Sequence, residues 1–257
     1  AAPSDGPHDA PAQNFRVACL EQFSEEGLHI EYSPTYHRLS LDMVAIGFAL
    51  MKRRRATVAA GLEPLLIRGV RVCCILANHG NELPVFGDND SGMVVDFHQS
   101  VRRFRAYGWL PIANNQAGAA VRSSATLQEA MFGATLAGLC GNSVSPSSQI
   151  EVRDEITLVP PFTVMERGRN KLVVRAGALG LAGRASHDHD DALSFWYSID
   201  GQDFLVEAGC SPYTRDKKER GASIAAFSHN LLTAADGMRY AGAPGSVTMT
   251  IDRKSVV

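Results

Sequence analysis

The stretch LSFWYSIDGQDFLVE, residues 193–207, decides how the second half of the chain folds. Two runs rich in aromatic and aliphatic residues flank the pair Asp200-Gly201. Aspartate followed by glycine suits a two-residue hairpin turn, because both central residues of that turn take positive φ angles. The stretch therefore predicts a β-hairpin.

Further short β-prone runs precede the hairpin. They are residues 162–166 and 171–175. The first half of the chain instead repeats its apolar residues at helical spacing. The helical runs are residues 15–23, 35–58, 62–76, 94–107 and 123–139. Because helices are followed by strands and do not alternate with them, the sequence predicts an α+β chain of two domains.

Changes in composition divide the chain into five segments. We expect a disordered tail or truncated edge in 1–13, a helical domain in 14–141, a linker in 142–161, a β-domain in 162–251 and a non-native tail in 252–257. The last segment coincides with the translation of a common sequencing adapter. Since the chain starts without Met and stops just after a strand-like run, we expect a fragment of a longer protein.

Composition and charge narrow the classes of function. With 25 Lys and Arg against 27 Asp and Glu, the net charge is -2, which gives no overall basic field for nucleic acid. The five cysteines lack the spacing of a disulfide framework or a thiolate zinc site. No apolar run approaches the roughly 20 residues of a membrane-spanning helix, and the first residues lack the order of a signal peptide. We expect a soluble chain.

The segment SHDHD, residues 186–190, places two histidines two positions apart. On an extended strand His187 and His189 would project from the same face. Neutral imidazole is the commonest metal ligand, and Glu207 and His229 follow further along the chain. A carboxylate and a further histidine of this kind, together with the histidine pair, could complete a three-ligand zinc set that leaves one coordination position open.

The same spacing allows a second interpretation. Asp188, Asp190 and Asp191 surround the two histidines, as they would in a solvated turn. Asp190 and Asp191 would then be neighbours of the imidazoles; in a metal site they would be ligands or partners that fix the tautomer. Spacing alone leaves these interpretations open.

Five segments in order resemble the heparinase II/III-like family of polysaccharide lyases. In the β half they are SHDHDDALSF at 186–195, LVEAG at 205–209 and SHN at 228–230. In the helical half they are GLHIEYSPTYH at 27–37 and LPVFGD at 83–88. The resemblance implies an incomplete (α/α) toroid followed by a truncated antiparallel β-sandwich.

The resemblance also implies a reaction and a place. Such lyases cleave polysaccharides beside a uronic acid by β-elimination, in which a base takes the C5 proton and an acid protonates the O4 leaving group. The implied partner is an acidic polysaccharide such as a glycosaminoglycan or alginate. The implied location is the bacterial periplasm or the outside of the cell, although this chain carries no export signal.

Individual roles follow from the same resemblance. Tyr36 corresponds to the catalytic tyrosine and His187 to its histidine partner. A structural zinc ion would be bound by His189, Glu207 and His229, and Tyr213 would contact the substrate. Without the family pattern, Tyr36 would be read as a half-buried helix aromatic, and His29 and Glu31 as residues that hold the helix start.

The chain also departs from the family pattern. Family members carry an Asn-His pair upstream of the SPxYH segment, and no such pair precedes Gly27. Glu207 stands where the family usually has Asp. These departures keep open a non-catalytic carbohydrate-binding or cell-envelope scaffold. A hydrolase would need paired carboxylates, for which Asp88 and Asp90 are the candidates, in a turn-rich segment, 82–91, that is expected to be a surface loop.

Overall fold

The computed structural model describes residues 10–54, 61–78, 82–89, 94, 154–210 and 216–231. Helices come first along the chain: α1 Ala10–Glu21, α2 Pro34–Arg53 and α3 Glu63–Leu76. Five strands follow: β1 Glu155–Val159, β2 Phe162–Arg167, β3 Asn170–Arg175, β4 Phe195–Ile199 and β5 Gln202–Leu205. A short helix, α4 Lys217–Ile224, and a 3-10 turn, Ala226–Ser228, come last. The order of helices and then strands agrees with the α+β prediction.

The five strands form one antiparallel sheet in chain order. Asp200 and Gly201, with φ angles of 50° and 82°, make the turn between β4 and β5. This confirms the hairpin predicted from the Asp-Gly pair. The sheet buries Trp196 and Val173 in the core, and it is the only sheet in the part of the chain that the structure describes. A second sheet and a toroid therefore stay predictions. The two helical runs in 94–107 and 123–139 also stay predictions, because apart from Val94 they lie outside the described residues.

Strand β1 falls inside the segment that was predicted to be a linker. It pairs antiparallel with β2, with Ile156 opposite Met165. The linker prediction is wrong for these residues. Apolar and polar side chains alternate in Glu155–Val159, which is the strand pattern, but the run is short and ends at Pro160-Pro161.

The beginning of α2 is held in place by hydrogen bonds of Ser33 and His37. Ser33 caps the helix, since its hydroxyl accepts the backbone N–H of Tyr36 at 3.3 Å. His37 is fully buried; its Nδ1 accepts the N–H of His29 at 3.1 Å and its Nε2 donates to the carbonyl of Gly69 at 3.0 Å. His37 thus joins the approach to α2 with α3, and the first turn of α2 is held in place.

The segment 82–89 is part of the core and not the surface loop that its turn-rich sequence suggested. Leu83, Phe86 and Asp88 are 3%, 1% and 0% exposed. The ring of Phe86 lies 5.3 Å from that of Phe162 on β2. The apolar side chains of Leu83 and Phe86 bury this segment between the helices and the sheet, and Asp88 is buried along with them.

Lys171 on β3 connects the sheet with the end of α3. Its Nζ donates to the carbonyls of Ile75 and Ala77 at 2.8 and 2.5 Å and pairs with Glu166 at 2.9 Å. The last carbonyls of a helix have no partner within the helix, so a buried cation there satisfies them. None of the described helices has the length and apolarity needed to span a membrane.

Replacing Lys171 by Met should lower the free energy of unfolding by about 3 kcal/mol, because it leaves two helix carbonyls and Glu166 without their buried cation. Chemical denaturation monitored by circular dichroism measures the change. Lys218→Met, at an exposed position on α4, is the matched control and should change stability by less than about 0.5 kcal/mol. Equal effects of the two substitutions would contradict the role assigned to Lys171.

The buried histidines of the α2 start should make the fold sensitive to acid. Burial lowers the pKa of His37 from its ordinary 6.5 to about 3. Burial, with the charge of His187, lowers the pKa of His29 to about 4. Below about pH 6 these histidines bind protons in the unfolded chain but stay neutral in the folded chain. The free energy of unfolding therefore falls as pH falls, by about 1.4 kcal/mol per pH unit for each histidine.

His37→Gln tests this directly. The variant should begin less stable, yet its free energy of unfolding should decline less steeply than that of the wild type between about pH 6 and about pH 4, by about 1.4 kcal/mol per pH unit. Denaturation curves at a series of pH values give both slopes. Parallel slopes would show that His37 titrates normally in the folded chain.

Candidate functional site

The rings of Tyr36 and His187 stack on each other. Their centroids are 4.1 Å apart and their planes differ by 20°. Tyr36 lies in the first turn of α2, and His187 lies in the loop between β3 and β4. The structure therefore brings the two residues of the predicted catalytic pair together, one from each half of the chain.

The segment with the two histidines is a loop and not the extended strand of the first interpretation. Asp188 explains the difference. Its carboxylate accepts the backbone N–H of Gly180 at 2.6 Å and pairs with the guanidinium of Arg175. These bonds fold the chain back on itself, and Ala185 takes a positive φ of 53° in the process. His187 and His189 consequently do not share a strand face.

Asp88 is the residue that links the two histidines. Its Oδ2 lies 3.1 Å from Nδ1 of His187, and its Oδ1 lies 2.9 Å from Nε2 of His189. Arg220 of α4 donates to both oxygens, to Oδ2 at 2.8 Å. The carboxylate is fully buried, so it is not placed to activate water as a hydrolase would require. Asp90, its suggested partner, lies outside the described residues.

The backbone of Asp88 is held as firmly as its side chain. Its carbonyl accepts the hydroxyls of Ser33 and Thr35 at 2.7 and 2.9 Å. Its N–H donates to the carbonyl of His187 at 2.9 Å. Gly87 allows this approach: it has a φ of 66°, and a Cβ there would lie 2.4 Å from the carbonyl oxygen of His187. Only a glycine fits between the two segments.

The three predicted metal ligands also lie close together. The rings of His189 and His229 have centroids 5.2 Å apart. Nδ1 of His229 donates to Oε2 of Glu207, and Oε1 of Glu207 accepts the N–H of Asn230 at 3.0 Å. His189 and Glu207 are 5% and 7% exposed. A buried cluster of two imidazoles and a carboxylate results.

The donor atoms of this cluster fit a metal ion in their chemistry. Within the described ranges, Nδ1 of His189 and Nε2 of His229 are buried and have no hydrogen-bond partner. Zinc accepts nitrogen and carboxylate oxygen ligands of this kind. In the same part of the chain, no three His, Cys, Asp or Glu side chains are already arranged as a ligand set. Glu207 is directed at His229 and Asn230.

A proton competes with a metal ion at His229. Burial lowers the pKa of His229, but the hydrogen bond and the charge of Glu207 outweigh burial and raise it. Metal binding at Nε2 would release that proton.

Asp191 is a buried carboxylate beside the cluster that the sequence could not distinguish from Asp190. Asp190 is exposed, whereas Asp191 is 0% exposed. Burial raises the pKa of Asp191, although Arg175 lies 3.2 Å away and acts in the opposite direction, as do His229 and His189.

Glu31 lies on the other side of His187. Its Oε2 is 3.6 Å from Nε2 of His187 and 3.8 Å from Nδ1 of His29. Burial raises the pKa of Glu31, His187 lowers it, and Asp188 raises it further. The residue read as part of the helix start therefore also borders the predicted catalytic pair. Tyr213, the predicted substrate contact, lies outside the described residues.

Comparisons with known proteins agree on one family. Residues 161–247 match the family described as Heparinase II/III-like, C-terminal. A heparinase III solved with methylated lysines has a TM-score of 0.57 and 14% identity, over 86% of this chain and 32% of that one. Another heparinase III has a TM-score of 0.56 and 15% identity, over 87% and 34%. Heparan sulfate lyase HepC from Pedobacter heparinus, as a mutant, has a TM-score of 0.54 and 15% identity, over 84% and 32%.

The extent of these matches determines what they establish. The chain spans about a third of the length of the solved structures that it matches. At 14–15% identity the likeness concerns the fold. A search of curated proteins gave no match. Residues 161–247 match the heparinase II/III-like C-terminal family, and the described part of the chain has the fold of the heparinase III structures.

Proposed function

We propose that the protein is a polysaccharide lyase that cleaves a uronic-acid-containing polysaccharide by β-elimination. The observation that carries the proposal is the stacked contact of Tyr36 and His187, whose centroids are 4.1 Å apart. The contact joins two residues that lie about 150 positions apart along the chain (187 − 36). A phenol and an imidazole side by side supply the two proton-transferring groups that the reaction requires.

The proton transfers divide naturally between these groups. The base removes the C5 proton of the uronic acid, and the acid protonates the O4 oxygen as it leaves. Asp88 accepts a hydrogen bond from Nδ1 of His187, so we assign proton exchange with the substrate or with Tyr36 to Nε2 of the ring. Charge develops on the uronate carboxylate during the reaction, and donors placed there would lower the barrier.

We also propose a structural zinc ion at His189, Glu207 and His229. The buried, unpartnered nitrogens of His189 and His229 support it. When bound, the ion would supply positive charge that cross-links three separate segments of the β half. Because residues 186–190 contain both His187 and His189, such a cross-link would also steady the catalytic histidine.

A binding function without catalysis is the second candidate, and one observation favours it. The carboxylate of Glu31 lies 3.6 Å from Nε2 of His187, where a uronate would have to approach. A charged Glu31 would repel that substrate and engage the ring nitrogen. A carbohydrate-binding or cell-envelope scaffold would tolerate this arrangement, whereas a lyase needs Glu31 protonated or turned aside.

Tyr36→Phe should abolish most of the lyase activity, because it removes the phenolic proton and leaves the ring stack intact. The expected loss in kcat is about 100-fold or more. The assay follows the ultraviolet absorbance of the new C4–C5 double bond on heparan sulfate, chondroitin, alginate and bacterial exopolysaccharides. Tyr197→Phe, on β4, is the matched control and should retain activity.

The two candidate functions give different outcomes in the same experiment. A lyase produces absorbance that Tyr36→Phe loses. A carbohydrate-binding protein without activity binds one of the polymers and produces no absorbance change, and Tyr36→Phe leaves this binding unaltered. No absorbance change with any polymer would overturn the lyase proposal.

His187→Ala and His189→Ala should separate catalysis from metal binding. His189→Ala removes a proposed ligand, so zinc measured by elemental analysis should fall well below one ion per chain. His187→Ala should keep its zinc and lose turnover. Equal loss of zinc in both variants would mean that the roles are not divided in this way.

A further inference from the structure

We propose that Asp88 is a positioning residue that sets the tautomers of two histidines at once. It would direct the lone pair of His187 towards the substrate and that of His189 towards the metal cluster. The catalytic half of this inference rests on the proposed function. The tautomers themselves can be measured without any substrate.

The four contacts of the Asp88 carboxylate carry the inference. Each oxygen contacts one imidazole nitrogen and one guanidinium nitrogen: Oδ2 meets His187 and Arg220, and Oδ1 meets His189 and Arg220. An ionised carboxylate only accepts hydrogen bonds, and a guanidinium only donates them. The ring nitrogens that face Asp88 must therefore carry protons, at Nδ1 of His187 and Nε2 of His189.

A neutral imidazole has one proton, so the opposite nitrogen of each ring is left with a lone pair. On His187 this is Nε2, which lies 3.6 Å from Oε2 of Glu31. The side chain of His187 is 18% exposed. On His189 it is Nδ1, which is buried and without a hydrogen-bond partner among the described residues. One carboxylate thus directs two lone pairs into two different environments.

Asp88 also fixes the distance between the two halves of the site. The hydroxyls of Ser33 and Thr35, which donate to its carbonyl, flank the first turn of α2 that carries Tyr36. Its N–H donates to the carbonyl of His187. The same residue therefore holds the backbone beneath Tyr36, the backbone of His187 and the ring of His187.

The first test measures the tautomers in the wild-type chain. Long-range proton–nitrogen NMR correlations of histidine-labelled protein, at a pH where both rings are neutral, distinguish a protonated Nδ1 from a protonated Nε2. Signals are assigned by their loss in His187→Gln and His189→Gln. We expect a proton on Nδ1 of His187 and on Nε2 of His189. The opposite tautomer on either ring would overturn the inference.

The second test uses Asp88→Asn. An amide presents one acceptor oxygen, so it can keep only one of the two histidines in its tautomer. We expect kcat to fall about 10- to 100-fold with KM within about threefold, and zinc affinity to fall about 10- to 100-fold. Asp200→Asn, in the β4–β5 turn where Asn suits the positive φ equally well, is the matched control and should behave as wild type.

The outcomes separate this inference from the proposed function. If the wild type cleaves no polymer, the lyase proposal fails, and the tautomers and the zinc affinity still decide the role of Asp88. If the wild type cleaves and Asp88→Asn matches it in kcat and zinc affinity, Asp88 is not a positioning residue. If Asp88→Asn does not fold, the wild-type tautomers alone decide.

Discussion

The buried carboxylate of Asp88 is the constraint on which the rest of the site depends. Removing an unpaired carboxylate from water costs roughly several kcal/mol, and here donors from His187, His189 and Arg220 offset that cost. The carboxylate follows the helices along the chain, whereas all three donors follow β3. Among the described residues, the donors to this carboxylate come from the β half, so burial of Asp88 joins the two halves of the chain.

A second buried charge also joins the two halves, and this one is a cation that belongs to the β half. Lys171 reaches from the sheet to the carbonyl end of α3, so the cation comes from the β half and the acceptors from the helical half. Between the two buried charges, Phe86 packs on Phe162. Apolar packing tolerates sliding, whereas directional bonds to buried charges do not. The polar contacts therefore define the alignment of the halves, and the apolar contacts supply the buried area.

Local sequence patterns predicted what depends on near neighbours. The Asp200-Gly201 hairpin and the order of helices and strands both follow from residues within a few positions of one another. Asp88 shows why the rest did not follow. Its surroundings are rich in turn formers and acidic residues, which favour the surface, while the partners of its carboxylate lie 99 to 132 positions away. Strand β1 was missed for a related reason, because its partner β2 stabilises a run too short to be recognised alone.

The loop at 186–190 is what makes the two histidines different from each other. On a strand, residues two apart project in the same direction and would enter the same environment. Here Asp188 folds the segment back, so both rings reach one carboxylate from different sides. Glu207 makes a similar pair with His229, across from His189. Two carboxylate–imidazole pairs therefore meet at the buried cluster, and in each pair the carboxylate holds one ring nitrogen. The third histidine, His187, also contacts Asp88 and stacks on Tyr36, so the Asp88 side chain connects the buried cluster with the ring beside Tyr36.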